Sequence, residues 1–315
     1  MAGKKEKSAL LPVLAAILGN VIWGLSSSFT KIGMQFATPA VLLAWRFCTA
    51  TAVLWLYALL RGIRLSVPQD ALIKLPLLGI FQPLLYFINE EYGILSSSAA
   101  FCSVVGSLAP VVGLVAGFLV LHERPSTYQA VLSSVSIVGV AMITLLSDGL
   151  GTVTLKGALL LLMAVSSGTV YFIVGRGLSD VFSPYQRTFY MAVTGALGFS
   201  VWAMMEQHFN FAAIVRPITE PSFLYSILFL SVLSTMVAYL CTNYAASCLD
   251  AARFTAFINL NSIVGVLAGV ILLHERFPIV VYPFMALTVL CVYGVQKFTP
   301  EYLAERKKKK ASVPE

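Results

Sequence analysis

The chain is a succession of apolar runs about 20 residues long, separated by short polar breaks, and no other feature constrains its fold as tightly. A helix rises 1.5 Å per residue, so ~20 residues cross a hydrocarbon layer roughly 30 Å thick. Barrel strands would appear as alternating segments of ~10 residues, whereas these runs are continuous. Charge is also too scarce to cover a soluble surface. Only 11% of the 315 residues are charged against 58% hydrophobic, where a soluble domain carries roughly a quarter charged. The fold class that follows is an all-α polytopic membrane protein whose main partner is the lipid bilayer.

Ten transmembrane helices are predicted, at 10–34, 39–60, 73–95, 98–121, 126–146, 155–177, 184–205, 221–246, 250–273 and 279–297. Proline opens several of them (Pro39, Pro125, Pro184, Pro221, Pro278), a position where its missing N–H has no partner to lose. The basic start MAGKKEK runs straight into the first apolar run without a small-residue cleavage site, so that run is expected to be a span and not a leader. Cys48, Cys102, Cys241, Cys248 and Cys291 fall inside apolar runs without CxxC or metal spacing. They read as small buried side chains, and no metal site is expected. With the N-terminus in the cytoplasm, sixteen Lys and Arg fall on that side and only Lys31, Lys156, Arg216 and Arg276 on the other. The positive-inside rule therefore predicts both termini in the cytoplasm, with the tail ERKKKK as a topological anchor.

The box LHER occurs twice, at 121–124 and 273–276, and the match is wider than the box. A shift of 152 residues carries Leu108, Val112, Gly113, Ala116, Gly117 and Leu121 onto Leu260, Val264, Gly265, Ala268, Gly269 and Leu273, and Tyr92 onto Tyr244. The chain is thus predicted to be two five-helix repeats, residues 1–150 and 151–315. Five is odd, so the repeats insert in opposite senses. Inverted-topology repeats are characteristic of secondary transporters, whose solute site lies near the midplane where the halves meet. Within the box, Arg at a helix C-terminus complements the macrodipole, and the Glu is expected to pair with it. The two histidines fall on opposite faces, so one ion cannot touch both.

WGLSSSFTKIG (23–33), WRF (45–47), the Tyr-containing end of span three and the doubled Glu-Arg box resemble the drug/metabolite transporter superfamily in its ten-span, EamA-type branch. The resemblance covers nearly the whole chain. It implies transport of a small-molecule solute, often outward, across a bacterial plasma (inner) membrane, with no enzymatic activity and no cofactor. Members commonly carry Gly where His122 and His274 stand here.

Several polar residues fall at bilayer depth. Gly113/Gly117 and Gly265/Gly269 form GxxxG pairs, with Asn261 on the same face, and predict close helix packing. Off that face, Thr255, Asn259 and Ser262 form a stripe, mirrored by Ser103, Ser107 and Pro110. The stripe reads as a cavity lining, or as hydroxyls bonded back to their own helix. Asn20, Trp23 and Ser27 share a face of span one; Gln82, Pro83, Tyr86 and Phe87 lie in span three, and Tyr239 and Asn243 in span eight. Pro83 is expected to loosen its helix. Arg46 lies in span two and Glu90 and Glu91 in span three, where a lone charge costs roughly 2.5–3.5 kcal/mol. Arg46 is expected to pair with one glutamate, leaving the other, Glu90, as the candidate for coupling to protons.

Candidate substrate-binding residues are accordingly Asn20, Trp23, Ser27, Tyr86, Ser103, Ser107, Tyr239, Thr255, Asn259 and Ser262, with Arg46, Glu90 and Glu91 for coupling or ion pairing. No GxxxxGK[ST] phosphate loop occurs, no nucleic-acid partner is expected, and the three histidines lie at span ends or loops. An intramembrane enzyme, which needs a buried nucleophile and base or metal ligands, is disfavoured; a non-transporting scaffold would have no need of an inverted repeat. An exporter of amino acids or related metabolites is the reading preferred, with a drug efflux pump as the alternative.

Overall fold

The computed structural model describes residues 10–65, 79–120, 125–147, 153–176, 182–248, 251–298 and 302, apart from the side chains of 116, 117, 119, 120, 172–176, 246, 247, 251–256, 258, 259 and 296. Among the described residues there is no strand. The helices are α1 (Leu10–Gly33), α2 (Pro39–Arg61), α3 (Tyr86–Leu95, entered through a π-helical stretch Ile80–Leu85), α4 (Ala99–Gly106), α5 (Ala109–Val120), α6 (Thr127–Ser147), α7 (Leu155–Arg176) and α8 (Pro184–Glu206). The short α9 (Phe211–Val215) and a 3-10 turn (Arg216–Thr219) follow. Then α10 (Pro221–Leu228) passes through a π-helical stretch (Phe229–Ala238) into α11 (Tyr239–Cys248), before α12 (Ala251–Leu272) and α13 (Val281–Lys297).

Local chemistry sets the ends. Pro39, Pro184 and Pro221 occupy the first helical turns of α2, α8 and α10. Ser183 and Gln186 form a reciprocal capping box at α8, satisfying donors that the first turn leaves without partners. Gly62 ends α2 in the left-handed conformation (φ 62°), as a helix C-terminus prefers. Within span three, Gln82 is extended (φ −146°, ψ 114°) next to Pro83, which has no N–H to continue the ladder. Span four, expected as one helix over 98–121, is interrupted by a turn at Ser107–Leu108, where Pro110 cannot donate to Gly106. The α9 segment was not anticipated.

Among the described residues five helices, Leu10–Gly33, Pro39–Arg61, Thr127–Leu146, Pro184–Glu206 and Pro221–Ala245, are long and apolar enough to cross a membrane, and further apolar helices are shorter. Their outward faces are greasy: Leu197, Val201 and Met205 are 67%, 59% and 63% exposed along one stripe of α8. Contiguous apolar surface of this kind suits lipid contact.

The helices pair across the two halves. α2 lies along α8, α6 along α13, α1 along α12 and α11, and α7 along α3, α4 and α5. Exchanging each first-half helix for its second-half counterpart returns the same set of pairs. The π-helical stretches obey the same relation: shifted by 152, Ile80–Leu85 falls on residues 232–237, inside Phe229–Ala238. The main apolar core, Leu43, Phe47, Leu54, Phe87, Phe189, Phe199 and Tyr239 among others, fills the α2–α8 junction between the halves.

Candidate functional site

The first-span motif is consumed almost residue by residue in contacts with other helices. Trp23 Nε1 donates to the Ser234 carbonyl at 3.3 Å, and Ser26 to Ser234 Oγ at 2.7 Å. Gly24 lets α12 approach so closely that a Cβ there would sit 2.7 Å from the Asn261 carbonyl oxygen and from Val264. Ser27 meets Ser103 at 3.3 Å, Thr30 donates to Glu91 at 3.4 Å, and Lys31 pairs with Glu275 at 3.0 Å.

The WRF motif turns three side chains in three directions. Trp45 Nε1 donates to the Ile214 carbonyl at 2.8 Å, tying α2 to α9. Phe47 fills the core against Gly195, Phe87 and Phe199. Arg46, 2% exposed, points to the junction of the halves. Its Nε donates to Thr235 (3.0 Å), one terminal nitrogen donates to Ser234 (3.2 Å), and the other stands 3.9 Å from Glu91. The Phe87 ring lies beneath the guanidinium, 4.4 Å to its centroid, a favourable site for a desolvated cation. Glu91 is therefore the glutamate that Arg46 faces, while Glu90 accepts from Tyr86 OH at 2.9 Å. The second carboxylate oxygen of Glu91 is buried without a hydrogen-bond partner.

Aromatic groups complete this cluster. Tyr239 meets Trp23 edge-on at 4.9 Å and accepts a hydrogen bond from the Gln82 amide, so the two interrupted segments touch at the centre. Trp23 and Tyr86 pack against Phe87 and Tyr239. Trp23, Tyr86, Tyr239, Arg46, Glu90 and Glu91 thus come together.

The remaining candidates lie elsewhere. Asn20 bonds back to the Ala16 carbonyl and buries its own carbonyl oxygen unpartnered. Ser103 sits against Gly265 on the helix-packing face and also bonds back to Ala99; Ser107 bonds to Val104 at the helix break. Ser262 is buried on α12. The side chains of Thr255 and Asn259 lie outside the described residues. Ser234 and Thr235, which hold Arg46, were missed, although Ser231, Ser234 and Thr235 recur at helical spacing within an apolar run.

Two further expectations are corrected or narrowed. The Glu of the second box does not pair with its neighbouring Arg276: it takes Lys31 and two backbone N–H groups of α4, at Ala99 (2.8 Å) and Ala100 (2.9 Å). A helix N-terminus is a better partner for a carboxylate than an exposed Arg. The first box lies outside the described residues. Gly265 and Gly269 do pack closely, against Ser103 and Ala100; among the described residues a Cβ at Gly113 would meet Thr169, at 3.9 Å.

A cavity of about 360 Å³ opens away from this cluster, between Thr38, Val41, Gln207, Arg216 and Pro217. The ion pair itself is packed shut.

A bundle of two matched helical halves with apolar outer faces, which seals charges and hydroxyls between them, is the architecture of a polytopic membrane protein. The EamA-like transporter family matches residues 10–145 and again 155–296, and the chain belongs to that family, within the drug/metabolite transporter superfamily. It is a transporter and not an enzyme. An uncharacterized transporter of Bacillus subtilis (strain 168), YcxC, is 30% identical over 265 residues, 83% of this chain and 85% of that one. An uncharacterized transporter of Archaeoglobus fulgidus is 26% identical over 274 residues, 87% and 94% of the two chains. A protein known from a crystal structure superposes with TM-score 0.64 over 96% of this chain and 99% of its own, at 14% identity, a likeness of fold.

Proposed function

We propose that the chain exports amino acids or related small metabolites by alternating access, its halves rocking about the Arg46 cluster. The observation that carries this reading is the buried Arg46–Glu91 pair set among Trp23, Tyr86 and Tyr239 at the junction of the repeats. A zwitterion brings one charge of each sign, and aromatic walls accept its side chain. Ten spans, opposed insertion of the repeats and both termini in the cytoplasm of a bacterium belong to this reading. In this reading the polar stripe of Thr255, Asn259 and Ser262 contributes to the solute site.

Counterflow in liposomes tests it. Preloaded unlabelled amino acids accelerate uptake of a labelled one, nucleosides do not, and Asn259→Ala abolishes the exchange. Exchange only with lipophilic cations would replace the metabolite reading with drug efflux. Proton coupling is assigned to Glu90, whose partner is a neutral phenol. Glu90→Gln leaves exchange independent of pH, and a pH profile unchanged from wild type in that variant removes the assignment.

A further inference from the structure

We propose that Glu275 is the latch that closes one face of the transporter, by fastening the start of α4 and the end of α1, both in the first repeat, to the second repeat. Each oxygen of its carboxylate takes a backbone N–H of the first turn of α4, Ala99 at 2.8 Å and Ala100 at 2.9 Å. Oε1 also takes Lys31 Nζ at 3.0 Å, and the same ammonium donates to the Ser97 carbonyl at 3.2 Å. The carboxylate is only 8% exposed, and Gly269 leaves the room it needs: a Cβ there would stand 2.6 Å from Glu275 Oε2 and 2.8 Å from Ala100. Charge-assisted bonds from a buried carboxylate are strong enough to hold a face closed and few enough to be broken together.

Three features make this contact a latch and not only a helix cap. First, α4 already has a cap of its own, Ser98 accepting from Phe101 N, so Glu275 supplies what Ser98 cannot, a link between repeats. Second, α4 is eight residues long and cut off from α5 by the turn at Ser107–Leu108, which lets it swing. Third, the latch borders the buried charges. Lys31 follows Thr30, the partner of Glu91, and α4 carries Ser103, the partner of Ser27.

The test is a distance measurement by pulsed electron paramagnetic resonance in lipid nanodiscs, on the full chain with its native cysteines replaced and spin labels at Leu95 and Ile279, both exposed at this end. It needs no transported solute, so its failure is distinct from failure of the substrate reading. Glu275→Gln and Lys31→Met each raise the fraction of a longer distance roughly five- to thirtyfold, the range that the loss of one or two strong bonds allows. Ser98→Ala, which weakens the same helix end without touching the link, leaves the distribution as it was. An unchanged distribution in both latch variants overturns the proposal, and so does an equal shift in Ser98→Ala. If Glu275→Gln does not fold, Lys31→Met carries the same test.

Discussion

The ion-pair partner of the Arg46 guanidinium among the described residues is Glu91, which stands 3.9 Å away, beyond hydrogen-bond distance. Ser234, Thr235 and the Phe87 ring do the rest of the solvating. Removing the cation leaves a buried carboxylate with little compensation. Arg46→Met therefore lowers stability by about 3 kcal/mol, read as a fall in melting temperature, and adding Glu91→Gln recovers most of it without restoring exchange. Arg46→Lys folds but loses transport, because an ammonium cannot span Ser234, Thr235 and Glu91 at once. The need for an ion pair was legible in the sequence, since three charges in apolar runs must find one another. Which glutamate faces the arginine was not, because adjacent residues on a helix differ by about 100° and the choice depends on how α3 is rotated against α2.

At the scale of the element, the second box shows why a helix end can be conformationally demanding. His274 sits at φ 52°, in the left-handed region where a side chain costs roughly 1–2 kcal/mol. The family resemblance puts Gly at this place, and the backbone gives the reason. His274→Gly raises stability by about 0.5–1 kcal/mol, the strain relieved less the chain entropy lost, as a higher melting temperature with the transport rate retained. The crossing of α1, α4 and α12 is the converse case, where glycine is required by closeness. Gly265→Ala drives a methyl group into Ser103 and costs about 1–3 kcal/mol; Ser103→Gly recovers part of it in the double variant. The GxxxG spacing announced a close contact on α12 but not its partner. Ser103, read from the sequence as one of a polar stripe set off the packing face, turns out to be what Gly265 accommodates.

For the molecule as a whole, α2 packs along α8, α1 along α12 and α7 along α3, so each half buries much of its surface against the other. Residues 1–150 and 151–315 expressed as separate chains together assemble and co-purify, while either half alone is degraded; recovery of a stable single half would contradict this. The apolar runs, the doubled unit and the residues suited to buried charge were legible in the sequence alone, because apolar length, proline and internal repetition act locally or by simple counting. The partners of Arg46, the capping of α4 by Glu275 and the meeting of the two interrupted segments at Gln82 and Tyr239 were decided only by tertiary structure. The hydrogen bonds from Arg46 to Thr235, from Ala99 to Glu275 and from Gln82 to Tyr239 join residues 189, 176 and 157 apart, and such contacts depend on how helices rotate and cross, which no periodicity along one helix encodes.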